Sequence, residues 1–161
     1  MKKLKKSAVV LCAVFASMQI TMAGQFDGVD VGLGKDFGGS QINHATDGLV
    51  GITGNGTGNV GLDFNSNTHI NWDNLNVGRG ESLNFNAVDG ANNLTILNTV
   101  NKGMTNVYGS INANSGIGQL IIANPNGVLF DGASFTTAGD AMITTKDLTG
   151  VKAEDLAKFD I

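Results

Sequence analysis

Short runs that alternate apolar with small polar residues, each stopped by Asn, Asp or Gly, set the strongest limit on how this chain folds. They are "NVGLDFN" (59–65), "LNVG" (75–78), "SLNFNA" (82–87), "NLTILN" (93–98), "QLIIA" (119–123), "GVLF" (127–130) and "AMITT" (141–145). A period of two over such short stretches reads as strand. Between the runs lie "NSNT", "VDGAN", "NANSG" and "NPNG", whose side chains accept local hydrogen bonds and whose glycines accept positive φ. All 23 glycines and all 19 asparagines fall after position 23, where they make up about 30% of the chain. Low hydrophobicity with high charge would mean disorder, but regularly spaced Val, Ile, Leu and Phe persist to the end. An all-β domain is the expectation.

Sandwich, barrel and solenoid share this pattern, and two recurrences favour the solenoid. Leu62/Phe64 recur as Leu83/Phe85, and Leu75/Val77 recur as Leu94/Ile96. Both spacings predict coils of about 20 residues. Stacked coils would align inward aliphatic and aromatic side chains into ladders. With one Trp and one Tyr, the chain is better supplied for a narrow elongated core than a wide one. The tail "TGVKAEDLAKF" (149–159) reads as a short helix or the start of another coil, with Thr149 as its N-cap.

Positions 1–23 stand apart. A lysine-rich start precedes an apolar run from Ala8 to Ile20 and then Thr21-Met22-Ala23, the layout of a secretory signal peptide cleaved between Ala23 and Gly24. The run is shorter than the roughly 20 residues of a membrane-spanning helix. Such a peptide implies the Sec translocon as first partner. The only cysteine, Cys12, lies inside it, so positions 24–161 contain none and cannot form disulfides. Those positions hold all 14 acidic side chains and six of the ten basic ones, for a formal charge of −8. An acidic surface argues against nucleic acid as a partner, and no polybasic patch supports membrane binding.

The only proline sits in "ANPNGVLF" (123–130). Asn124, Pro125, Asn126 and Gly127 suit a type I turn, with Pro fixing φ at the second position and Gly at the exit. Turn chemistry alone explains a corner between Ile122 and Val128 and nothing more.

The surrounding order of motifs adds to this. "HINWDNLNVGRGESLNFN" (69–86), "NNLTILNTVNKGMTNVYGSINANSGIGQLIIANPNGVLFDGASF" (92–135) and "TTKDLTG" (144–150) together resemble the two-partner secretion (TPS) domain of filamentous haemagglutinin-type exoproteins of Gram-negative bacteria. Asn124, Pro125, Asn126 and Gly127 match the family's N-P-N-G motif, and Asn71-Trp72 its N-W pair. A second family motif, N-P-N-L, has Ala91-Asn92-Asn93-Leu94 in its place, without the proline. The resemblance implies a right-handed parallel β-helix with N-terminal capping strands over positions 24–161. It also implies recognition by the POTRA domains of an outer-membrane transporter. The exported passenger would be an adhesin, haemolysin or contact-dependent toxin, with its own ligand on a host or neighbouring cell. The family's domain is no enzyme and takes no cofactor, and the chain is short for such a domain, which suggests a fragment.

Other chemistry finds little support. His44 and His69 are far apart in the chain with no ligand spacing, and they read as surface or corner residues. "GLGKDFGG" (32–39) lacks the G-K-S/T of a phosphate loop and reads as a turn. A β-helical polysaccharide-degrading enzyme would need clustered carboxylates, or basic residues with a metal, and only Arg79 and five lysines follow position 23. A freestanding adhesin, binding glycan through exposed Asn/Thr ladders, is the main alternative to a secretion domain.

Overall fold

A computed structural model describes residues 24–159. The expected signal peptide, with Ala23 at its cleavage site, lies outside the described residues, and Gly24 opens the first described turn.

Among the described residues, thirteen strands form three sheets. They are β1 (Gln41–Ala45), β2 (Leu49–Thr53), β3 (Asn59–Phe64), β4 (Thr68–Asn74), β5 (Asn76–Val77), β6 (Ser82–Ala87) and β7 (Leu94–Val100), followed by β8 (Thr105–Val107), β9 (Ser110–Ala113), β10 (Ile117–Ala123), β11 (Val128–Phe130), β12 (Ser134–Thr137) and β13 (Asp140–Thr144). Sheet A runs β1-β4-β7-β10-β13, sheet B runs β12-β9-β6-β3-β2, and sheet C runs β11-β8-β5. From β3 onward the chain visits B, A and C in turn, and each strand pairs in parallel with its counterpart one coil on. This is the expected all-β parallel β-helix. The first two strands pair antiparallel, β1 on β4 and β2 on β3, and so cap the N-terminal end with strands rather than leave two parallel edges open.

Alternation puts every second side chain inside. In sheet B the inward ladders are Val60–Leu83–Ile111 and Leu62–Phe85–Ala113. In sheet A they are Thr68–Ile96–Leu120 and Ile70–Asn98–Ile122, and in sheet C, Val77–Val107–Phe130. Phe64 and Phe85 stack with centroids 6.0 Å apart and planes at 8°. Each fully buried Leu, Ile or Phe contributes about 1.5–3 kcal/mol of transfer free energy, so the ladders are the main stabilising term.

The register differs from the expected one. Phe85 pairs with Leu62 rather than with Phe64, and Leu83 with Val60 rather than with Leu62, so this coil is two residues longer than the recurrence implies. Leu75/Val77 and Leu94/Ile96 are not repeats at all: Val77 belongs to sheet C beside Val107, and Ile96 to sheet A beside Thr68 and Leu120.

A second, smaller cluster sits outside the helix. On the outer face of sheet A, His69, Leu97, Ile121 and Met142 form a ladder, and the tail folds over it. Leu148 and Leu156 are buried there, with Val151 and Phe159 packed alongside. The tail forms a 3-10 helix over Ala153–Lys158, so it is a short helix rather than a further coil. Its N-cap residue is Lys152; Thr149 instead bonds to Asp147.

Candidate functional site

The Asn-Pro-Asn-Gly corner joins β10 of sheet A to β11 of sheet C. The Gly127 N–H donates to the Asn124 carbonyl at 3.0 Å, closing a four-residue turn, and Gly127 has φ 104°, where a side chain would be strained. Asn124 is fully buried. Its Oδ1 accepts the Asn126 N–H at 2.9 Å, while its Nδ2 donates to the Gly103 carbonyl at 3.0 Å and to Thr105 Oγ1 at 2.9 Å. Its backbone N–H donates to the Thr144 carbonyl at 2.9 Å, one coil further on. Asn124 therefore ties three successive coils. Pro125 and Asn126, by contrast, are exposed. The motif has a buried half that holds the fold and an exposed half that a partner can touch.

The structure does not bring the second motif to the same place. Asn92 and Asn93 lie between β6 of sheet B and β7, at the corner where the chain enters sheet A, whereas Pro125 lies at the corner where it leaves sheet A for sheet C. Asn92 Oδ1 accepts the Asn93 N–H at 2.9 Å, Asn93 takes φ 54°, and Leu94 is buried at the start of β7. Asparagine tolerates this left-handed backbone better than most residues, which accounts for a turn without the proline. The N-W pair is split across the sheet. Trp72 points into the core, and Asn71 points out, where Nδ2 donates to Thr99 Oγ1 at 3.0 Å and Asn101 Oδ1 at 3.1 Å.

His69, expected at the surface or a corner, is buried. Nδ1 lies 2.9 Å from the Val151 carbonyl and Nε2 2.8 Å from Thr99 Oγ1. A carbonyl can only accept, so Nδ1 carries the proton and Nε2 accepts from the threonine. Burial is the main cause that holds its pKa below the ordinary 6.5, with the Val151 bond opposing it and His44 adding to it. His44 is exposed and meets Asp27 at 3.0 Å. Among the described residues no group of three His, Cys, Asp or Glu is placed to hold a metal ion.

The 34–39 segment proves to be a clasp. A 3-10 turn at Lys35–Phe37 lies against sheet C, where Asn76 Nδ2 donates to the carbonyls of Phe37 and Gly39 at 3.1 and 2.8 Å. Glu81 Oε2 accepts the N–H groups of Gly34 and Gly78, each at 2.7 Å. Phe37 stacks on Tyr108 with centroids 4.6 Å apart, and the Arg79 guanidinium lies 5.3 Å from the same Tyr108 ring. Sequence reasoning missed this aromatic group. Its members lie far apart in the chain, and only coil stacking joins them.

The described residues form, in class, a parallel β-solenoid with the Asn-Pro-Asn-Gly corner at its surface. The family model for the TPS secretion domain matches residues 36–160, and the chain belongs to that family. No curated protein and no solved structure matches it. The chain carries the secretion domain of a two-partner secretion exoprotein, a module of secretion rather than catalysis, and its family implies interaction with a partner outer-membrane transporter.

Proposed function

We propose that the transporter's periplasmic POTRA domains read the exposed half of the corner, Pro125 and Asn126, while Asn124 and Gly127 hold it in shape. The observation that carries this reading is the division within one turn. Asn124 has both ends of its side-chain amide engaged inside the fold, whereas Asn126 is exposed. Asn92 to Leu94 and Asn71-Trp72 act on the fold and its coil edges. Positions 1–23 act as the signal peptide, delivering the chain through the Sec translocon, and positions 24–161 form the secretion domain. The passenger this domain serves is an adhesin, haemolysin or contact-dependent toxin, and any host or neighbouring-cell ligand belongs to that passenger.

The test is secretion and POTRA binding of Asn126→Ala beside Asn124→Ala. The reading expects Asn126→Ala to keep native stability but to lose binding and secretion. Normal secretion of a folded Asn126→Ala would reduce the motif to a structural corner.

A further inference from the structure

The three outer faces of the β-helix differ in what covers them. Sheet A carries the tail over Leu97 and Ile121. Sheet B presents polar ladders, Ser82–Ser110–Ser134 and Asn84–Asn112–Thr136, of which Asn84 and Asn112 bond to each other at 2.9 Å. On sheet C the outward ladder begins the same way, Asn76 then Asn106, with Asn106 Nδ2 donating to Asn76 Oδ1 at 3.0 Å. Its third member is Leu129. Leu129 is 40% exposed, where continued asparagine stacking would have placed an amide.

Leu129 is not isolated. Among the described residues the exposed large hydrophobic side chains are Phe37, Met104, Leu129, Phe130 and Ile143. Phe130 and Ile143 end inward ladders, in sheets C and A. The other three lie along the outer side of sheet C and its corners. Met104 flanks the turn, its Cγ 3.7 Å from where a Cβ on Gly127 would lie, so the strip starts beside Pro125 and Asn126. At the far end Phe37 stacks on Tyr108, next to a cleft of about 480 Å³ between the 34–37 turn and the 78–81 corner. Arg79, the only arginine in the chain, borders that cleft with Lys35, Asp36 and Glu81, the last engaged by the Gly34 and Gly78 N–H groups. Arg79 meets the Asp131 carboxylate at 3.6 Å, and both side chains are mostly exposed. A pair of that kind is worth little and exchanges readily with an incoming carboxylate.

We propose that this strip, from Met104 through Leu129 to Phe37, is the docking surface for the periplasmic part of the partner transporter. Its occupant is an extended apolar segment that lays an aliphatic or aromatic side chain over Leu129 and Phe37 and sets a carboxylate against Arg79. The inference rests on the reading above that this is a secretion domain with such a partner, and it extends the contact from two corner residues to a face. The formal charge of −8 over positions 24–161 opposes both an anionic membrane surface and a second copy of the chain as occupant. Apolar anchors beside an arginine are the composition expected where a small patch carries most of the binding energy.

The experiment is calorimetric titration of the folded domain with the purified periplasmic domains of its transporter, with thermal unfolding run on every variant. Leu129→Asn continues the Asn76–Asn106 ladder, so it removes the apolar contact while keeping the coil. It is expected to weaken binding by about tenfold or more, as is Phe37→Ser. Arg79→Ala should flatten the salt dependence of the affinity. Asn112→Ser, on the polar face of sheet B, serves as the control and should bind as the native domain does. Leu129→Asn and Phe37→Ser both binding within about twofold of native, with the native domain binding well, would overturn the docking face and leave the secretion reading standing. A native domain that fails to bind its transporter at all overturns both.

Discussion

The indole Nε1 of Trp72 donates to Asn98 Oδ1 at 3.0 Å, and both residues are fully buried. Asn98 occupies an inward position between Ile70 and Ile122, where the ladder is otherwise aliphatic. Its Nδ2 donates to the Ile121 carbonyl at 3.1 Å, so the amide is satisfied on both sides and ties β4, β7 and β10 together. Trp72→Phe leaves the Asn98 oxygen without its donor and opens space in the core. The expected cost is about 2–4 kcal/mol, read as a lower urea midpoint with unchanged slope. A loss under about 0.5 kcal/mol would mean that Asn98 finds another donor.

Asn124 and Asn126 should separate in stability although they share a turn. Asn124→Ala removes the acceptor for the Asn126 N–H and the donor to two oxygens in the neighbouring coil. The Gly103 carbonyl and the Thr105 hydroxyl each lose that amide as a partner, so the expected loss is about 2–3 kcal/mol. Asn126→Ala changes an exposed side chain and should stay within about 0.5 kcal/mol of native. Equal losses for the two would place Asn126 in the fold as well.

How far the sequence reveals this structure depends on what alternation encodes. The strands 59–64 and 82–87 are visible because large apolar residues alternate with small polar ones, and 117–123 because its end, Leu120 to Ala123, is a short continuous apolar run between turn residues. β4 is less visible: Thr68 fills an inward place and His69 an outward apolar one. Register is harder still. Pairing Phe85 with Phe64 or with Leu62 differs by two positions, which leaves every side chain on the same face, so the hydrophobic pattern cannot choose between them. The corner chooses: the Ser82 N–H donates to the Gly58 carbonyl at 2.8 Å and starts the pairing two positions earlier. Corner lengths vary from coil to coil, so no constant period exists to be found. The N-P-N-G turn is legible from its residues, but the burial of Asn124 depends on Gly103 and Thr105 in the coil before it.

His69 makes stability depend on pH. Its pKa is lowered in the folded state, so the unfolded chain binds the proton more tightly. The contribution is fully present above the ordinary value of 6.5 and is lost as pH falls below it towards the lowered one. Asp27 is also held low, chiefly by its hydrogen bond to His44, but its effect falls below the carboxylate value of 3.8. Urea unfolding between about pH 5 and 7.5 therefore leaves Asp27 out, and comparison with His69→Gln separates His69 from His44, the other histidine of the chain. Stability should rise with pH across that window and do so less steeply in His69→Gln, which keeps a donor for the Val151 carbonyl. A variant with the native slope would remove His69 as the source.

Export through a transporter pore favours a chain that unfolds without covalent locks, and positions 24–161 contain no cysteine. Ser82 and Ser110 test this directly. They pair in register on β6 and β9, half-buried on the outer face of sheet B, away from the Asn124 corner, at the corner where the chain passes from sheet C to sheet B beside Tyr108; the single variants control for any effect of that position alone. Parallel neighbours about 4.8 Å apart fall within the Cα range that a disulfide spans. Ser82→Cys with Ser110→Cys should fold, form the bond in the oxidising periplasm, and hold two coils together. Secretion of the double variant should fall sharply and return with reductant, while either single variant secretes normally. Periplasmic accumulation of the oxidised form, scored by gel mobility, checks that the bond has formed. If the oxidised double variant reaches the medium at the native rate, the domain crosses with neighbouring coils still joined, and the absence of cysteine has no bearing on export.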